Sequence, residues 1–192
     1  MKFTISVLML VLSGTAFADA KATVPASAEA AVKEFTLSCF NAVNAKHWLD
    51  NAKCYNREHL SEFQRLYLAR SGEIAPSVVP QEFTAYYKGD VTLAKLKTIE
   101  PAEFFAAFNG GWSILLAPQG ACKYEANAFE VTRVEAAEQN AYRVEGITRA
   151  RHTCADKTEE QTQAEIVLVR LQDGKPAIEM PQRTFEVLKG GK

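Results

Sequence analysis

In the stretch "RVEGITRARHTCAD", residues 143 to 156, His152 stands two places before Cys154 inside a run that otherwise alternates like a strand. Two chemistries would use that pair. A histidine beside a thiol can draw off its proton and leave a nucleophilic thiolate, and the same two side chains can each ligate zinc. Zinc normally takes four ligands, however, and the remaining histidines, His47 and His59, stand at no ligand spacing. No metal and no cofactor are expected. The structural alternative is that Cys154 is half of a disulfide and His152 is its neighbour on one strand face.

The cysteines favour that alternative. Cys39, Cys54, Cys122 and Cys154 are even in number, which in an oxidising compartment points to two disulfides with three possible pairings. Two alternating runs, "CKYEANAFEVTRV" and "AYRVEGITRARHTC", flank the polar stretch "EAAEQN" and read as an antiparallel hairpin. Paired residues in a hairpin keep a constant index sum, and setting Cys122 against Cys154 centres the turn on Glu138, inside that polar stretch. The same register sets Phe129 against Ile147, Glu125 against Arg151 and Glu130 against Gly146. It also sets Arg133 against Arg143, an unfavourable pair with Glu135 and Glu145 nearby. Cys39 then pairs with Cys54, closing a loop of roughly 15 residues that is worth about 3 kcal/mol on the chain-entropy picture.

The opening "MKFTISVLMLVLSGTAFADA" has an early cation at Lys2, an apolar core through Leu12, and Ala16 and Ala18 in the pattern of a signal-peptidase site. The expected organisation is a signal peptide over 1–18, a flexible spacer over 19–26 and one α+β domain over 27–190. The expected location is the periplasm or the cell exterior after cleavage near Ala18. The apolar run breaks at Ser13 and Gly14, and nothing downstream is long enough to span a bilayer. The formal net charge is −1, and −2 once Lys2 leaves with the signal. Such balance gives no electrostatic case for nucleic acid or anionic lipid.

The elements that must position these residues follow in order. Ser27 caps a helix with Val32, Phe35, Cys39 and Val43 at helical spacing, continuing toward Trp48. Asn56 precedes a second helix, with Leu60, Phe63 and Tyr67 on one face and Ser71-Gly72 as the stop. "TAYYKGDVTLAKLKTI" reads as two short strands around Gly89-Asp90. Pro101 opens a third helix, "PAEFFAAFNGG", ended by its glycines; "WSILLAP" fits a strand or a buried turn equally well. Asp173-Gly174 is a two-residue hairpin turn between "QTQAEIVLVRL" and "PAIEMPQRTFEVL", with Pro181 interrupting the final strand. The expected fold is α+β: N-terminal helices packed on a curved, mostly antiparallel sheet, stapled by two disulfides.

This element order, together with the strand-to-helix passage "TIEPAEFFAAF", resembles the nuclear transport factor 2-like superfamily in its ketosteroid isomerase arrangement. The resemblance implies a cone-shaped domain whose pocket serves isomerases, dehydratases, ligand binders or association modules. An isomerase of that kind would place a tyrosine in the first helix and a carboxylate on the first strand. Here Cys39 and Phe40, and Thr84 and Tyr86, stand there instead, which implies a non-catalytic member.

Three function classes remain in view. A small pocket enzyme, isomerase-like or hydrolase-like, would use Tyr142, His152 and Glu130 for acid/base work on the hairpin face. A binding protein would use the pocket for a small apolar ligand. An interaction protein, whether a homodimer or a periplasmic inhibitor or immunity-type partner, would use an apolar stripe of Phe129, Val131, Ile147, Val167, Val169 and Met180 on the opposite face. The loop over residues 72–82 is the alternative cover for that stripe. The reading favoured by the residues is a non-catalytic binding or interaction protein.

Overall fold

The computed structural model describes residues 26–117, 122–138, 140–154 and 157–190; for residues 122–128, 152 and 154 the description is of the backbone. The expected signal, and all but the last residue of the expected spacer, lie outside these residues. The described chain is α+β, with seven helices and one four-stranded antiparallel open sheet in the order β1-β2-β3-β4.

Helix α1 (Ala26–Asn44) buries Val32, Thr36 and Cys39, a one-sided spacing that lays it on the sheet. Thr36 is fully buried, and its hydroxyl is satisfied by donating to the Val32 carbonyl at 2.8 Å. The helix stops at Asn44; Lys46 takes a left-handed φ of 59° and the chain restarts as α2 (Trp48–Ala52). Asn56 caps α3 (Arg57–Ile74) as expected, its side-chain oxygen accepting from the amides of Glu58 at 2.9 Å and His59 at 3.4 Å. That helix runs past Ser71-Gly72 rather than stopping there.

Residues 81–98 depart from the expected pair of strands. They form two short helices, α4 (Gln81–Tyr86) and α5 (Leu93–Thr98). Pro80 presets the entry to α4, and the Thr92 hydroxyl caps α5 by accepting from the Lys95 amide at 3.2 Å. Phe83 and Leu96 are completely buried among the helices, so tertiary packing overrides the alternating pattern. The Gln64 side chain donates to the carbonyls of Leu96 and Ile99, tying α3 to the end of α5.

Helix α6 (Pro101–Leu115) begins at Pro101 as expected but does not end at its glycines. Gly110 and Gly111 are contact points: a Cβ on Gly111 would overlap the Glu82 backbone, and one on Gly110 would press on the rings of Tyr86 and Trp48. These glycines let α4 approach α6 closely, and "WSIL" continues the helix. Around them lies an all-helical core of Phe63, Phe83, Phe104, Phe105 and Leu96, whose rings meet mainly edge to face.

The sheet is built from β1 (Cys122–Glu138), β2 (Ala141–Cys154), β3 (Lys157–Gln172) and β4 (Lys175–Glu179). Cys122 lies opposite Cys154 and Glu125 opposite Arg151, as the index sum requires. Three bulges in β1 then slip the register by one residue each, at Ala126/Ala128, Val131/Arg133 and Ala136/Glu138. Phe129 therefore faces Thr148 rather than Ile147, and Glu130 faces Ile147 rather than Gly146. The slips also dissolve the Arg133/Arg143 clash, because Arg133 now faces Glu145 and Glu135 faces Arg143.

Asp173 and Gly174, with φ of 51° and 76°, make the expected two-residue turn. Strand β4 is short, however. Pro181 stands at the N-cap of a last helix, α7 (Gln182–Leu188), where an interrupted strand was expected.

One disulfide, Cys39–Cys54, is present among the described side chains, with Cα atoms 6.0 Å apart. It fastens α1 to the extended segment before α3. That segment pairs with the free edge of β4: the Ile178 amide donates to the Cys54 carbonyl at 2.7 Å and the Asn56 amide to the Ile178 carbonyl at 2.9 Å. The side chains of Cys122 and Cys154 lie outside the described ones.

Candidate functional site

The face of the sheet toward α1 holds Tyr142, Val144, Gly146, Thr148 and Ala150 of β2. Their partners are Phe129, Val131 and Val134 on β1, and Glu165, Val167 and Val169 on β3. All are apolar or small except Thr148, the edge-placed phenol of Tyr142, and Glu165. That glutamate is 9 % exposed, although it occupies a parity shared with Val167 and Val169.

Its position follows from the strands. Glu165 pairs with Gly146, which has no side chain to stand beside it, and the Phe129 ring fills the space over that glycine. Phe40 of α1 stacks on Phe129 with centroids 3.7 Å apart and planes 9° from parallel, closing the aromatic wall. Burial pushes the Glu165 carboxyl up to about 7. The Thr148 hydroxyl is near enough to pull it partly back, yet Thr148 Oγ1 is sealed from solvent and makes no full hydrogen bond among the described residues. The phenol of half-buried Tyr55 is pushed up to about 12, first by desolvation and then by the Glu165 charge. Among the described residues no lysine or arginine offsets this rise.

A cleft of about 350 Å³ opens alongside, lined by Thr148, Ala150, Gln161, Thr162 and Gln163. Thr148 belongs both to the cleft and to the Glu165 neighbourhood. Two arginines of β2 are engaged elsewhere: Arg149 pairs with Glu130 at 3.3 Å and Arg151 with Glu160 at 3.1 Å. The arrangement therefore offers a buried carboxyl held well above its ordinary range, the sealed Thr148 hydroxyl beside it, and the amide side chains of Gln161 and Gln163 along the cleft.

The expected catalytic trio is not brought together. Tyr142 is buried in the α1–sheet core opposite Val169, whereas Glu130 is exposed on the outer face beside Arg149. His152 lies ten residues along β2 from Tyr142, about 33 Å at strand rise. Its backbone pairs with Tyr124 and Glu159, and its side chain lies outside the described ones. Among the described residues no group of three or more His, Cys, Asp or Glu could hold a metal ion.

The expected stripe also divides. Phe129, Val131, Val167 and Val169 lie on the α1-covered face, Ile147 on the other, and Met180 is buried in the helical core. The cause is the β2–β3 turn, which sets Cys154 opposite Lys157 and so pairs even positions of β2 with odd positions of β3. Helix α1, rather than the 72–82 loop, covers these side chains. The exposed apolar residues cluster instead at the end of α6, at Trp112, Ile114, Leu115 and Leu116.

Glu165 is the residue that the sequence reading missed. The available signal was an acid in register with Val167, Val169 and Leu171 on an alternating strand. No described helix is long and apolar enough to cross a membrane. Comparison with known protein families, with curated proteins and with solved structures finds no match to this chain. The class that the fold defines is thus an α+β protein of helices on an open antiparallel sheet, with a cleft lined by Thr148, Ala150, Gln161, Thr162 and Gln163.

Proposed function

We propose that this chain is an exported, non-catalytic binding protein that takes a small ligand in the cleft beside Glu165 and Thr148. One observation carries the reading: a cleft of about 350 Å³ is bordered by Thr148, whose buried Oγ1 has no geometrically good partner among the described residues, and the buried Glu165 carboxyl lies one residue pair further along the same face. An unsatisfied buried polar group costs about 1–3 kcal/mol, and a ligand that reaches the Thr148 hydroxyl recovers that cost on binding. The volume lies at the small end of the range for ligand sites. Export to the periplasm, with cleavage after Ala18, fits the N-terminal pattern and is compatible with the Cys39–Cys54 disulfide.

Two experiments test this. A thermal-shift screen of small polar molecules yields stabilising compounds whose effect disappears in Glu165→Gln or Thr148→Val; a screen in which no compound depends on either residue overturns the reading. N-terminal sequencing of protein from a periplasmic fraction starts at Asp19, and full-length protein retained in the cytoplasm refutes export.

The raised Glu165 carboxyl favours a second reading, a small pocket enzyme using it as a general acid or base. That reading requires turnover of a cleft ligand that stops in Glu165→Gln while binding persists.

A further inference from the structure

We infer that two copies of this chain pair edge to edge through β3, antiparallel about a twofold axis at Gln161, so that their four-stranded sheets join into one. An open, unbulged strand edge whose charges complement themselves in one register carries the inference.

The hydrogen bonds define that edge. The Leu171 amide donates to the Asn140 carbonyl at 2.7 Å, so odd residues of β3 bond toward β2 and even residues bond the other way. Strand β4 takes up the outer side only from Leu168 to Gln172. Among the described residues no strand meets Thr158, Glu160, Thr162, Ala164 or Ile166, whose backbone groups point outward, and residues 157–164 are all exposed. The other edges are guarded: β1 carries three bulges, and the segment at Cys54–Asn56 covers β4. The pairing of β3 with β2 has no bulge, and residues 157–167 contain no proline. A flat free edge of this kind is a template for another strand. Helix α1 packs mainly over β1 and leaves it clear.

Charge selects both the occupant and the register. With the axis at Gln161, Lys157 of each copy stands opposite Glu165 of the other, Glu159 opposite Gln163, Glu160 opposite Thr162, and Thr158 opposite Ala164. Two opposite-charge pairs form and no like charges face each other. An axis at Thr162 would set Glu159 against Glu165, and an axis at Glu159 or Glu160 would set that acid against itself. An axis at Gln163 would drive Thr158 onto Leu168, where β4 already pairs. Arg149 and Arg151 point to the opposite face, held by Glu130 and Glu160, and Lys33 of α1 is exposed. Lys157 is thus the cation that the seam brings to the Glu165 carboxyl.

The same register leaves Ile166 and Val167 as clearance before β4. It also sets Gln161 of the second copy against Gln161 of the first, which lines the cleft, so each copy borders the other's cleft. Pairing needs no ligand there, and its failure would leave the ligand reading standing.

Sedimentation velocity between about 1 and 500 μM should show a reversible monomer–dimer equilibrium. Thr162→Pro removes one outward N–H at a place where an edge strand tolerates proline. It should abolish the dimer and leave the melting temperature near that of the unaltered protein. Lys157→Glu sets like charges opposite Glu165 twice and should weaken the dimer at least about tenfold. Crosslinking reads the register. The two Gln161 Cα atoms at the axis would stand about 4.5 Å apart, within disulfide reach. Gln161→Cys should therefore give a covalent dimer under mild oxidation, whereas Gln163→Cys, about 13 Å from its counterpart, should not.

A chain that stays monomeric up to about 500 μM overturns the inference. So does a dimer that a folded Thr162→Pro variant leaves intact, or crosslinking at Gln163→Cys in place of Gln161→Cys. If Thr162→Pro does not fold, Lys157→Glu and the crosslinks decide. Protection of the Thr158, Glu160, Thr162 and Ala164 amides from hydrogen exchange only by an extended segment of a different protein would assign the edge to that partner, and would equally overturn pairing between copies.

Discussion

The ring of Phe129 fills the space that any side chain at Gly146 would need. This contact between β1 and β2 lies beside Glu165, the β3 partner of Gly146, and it requires glycine for room rather than for backbone freedom. Gly146→Ala should therefore destabilise the fold by about 1–3 kcal/mol, the usual cost of overpacking a well-filled core. Chemical denaturation measures it; an unchanged midpoint would mean that Phe129 swings away freely.

The Glu165 carboxyl gives the second prediction. Its folded midpoint near 7 is raised from an ordinary value of 4.5, so between these limits the folded state holds more protons than the unfolded one. Stability should accordingly fall as pH rises from about 4.5 to 7 and level off above, by up to about 2–3 kcal/mol from this group. Glu165→Gln should flatten that part of the profile in denaturation series at several pH values. A wild-type profile that rises over the same window, with the variant following it, would exclude a buried carboxyl there.

Val167 offers a third. It lies opposite Val144 on the face that α1 covers, packed against the α1–sheet core. Val167→Lys should lower stability by about 2–4 kcal/mol through burial of an unpaired charge, with no change in elution volume. A folded variant of undiminished stability that has lost self-association would instead restore that side chain to an interface.

The cysteines give the fourth. Non-reducing digestion should link Cys39 to Cys54, and Cys122 to Cys154, whose backbones stand opposite each other. A Cys39–Cys122 peptide would contradict both pairs. Removing the first link by Cys39→Ala with Cys54→Ala should cost about 3 kcal/mol.

The sequence reading succeeded where a local constraint fixes geometry. Two cysteines and a polar turn located the β1–β2 hairpin, Asn56 announced α3, and Asp173-Gly174 announced the last turn. It failed where the deciding partner is distant. Nothing in "EANAFEVTRVEAAE" marks the three bulges, the first of which slides Phe129 off Ile147, and one residue of slip is enough to move an entire stripe between faces. Residues 81–98 are too short for periodicity to separate helix from strand, although Thr92 ahead of Leu93 and Leu96 was a readable cap. Gly110 and Gly111 read as a helix end because the backbone of α4, which needs their bareness, lies outside that window of sequence. The cleft was not legible: Glu165 shares the spacing of Val167 and Val169, and alternation alone does not mark an acid there as buried.

The bridge between Tyr55 and Ile178 bears on how the chain is made. It joins a segment synthesised early to nearly the last strand to emerge, a contact of high sequence separation that forms slowly compared with the helical hairpins beside it. For most of synthesis the edge at Cys54–Asn56 has no strand to receive it, and α1, fastened there by its disulfide, has no sheet to cover. Maturation is thus gated by the C-terminus: a nascent chain lacking β4 and α7 should hold most of its helical core while presenting an open strand edge to any holdase that meets it.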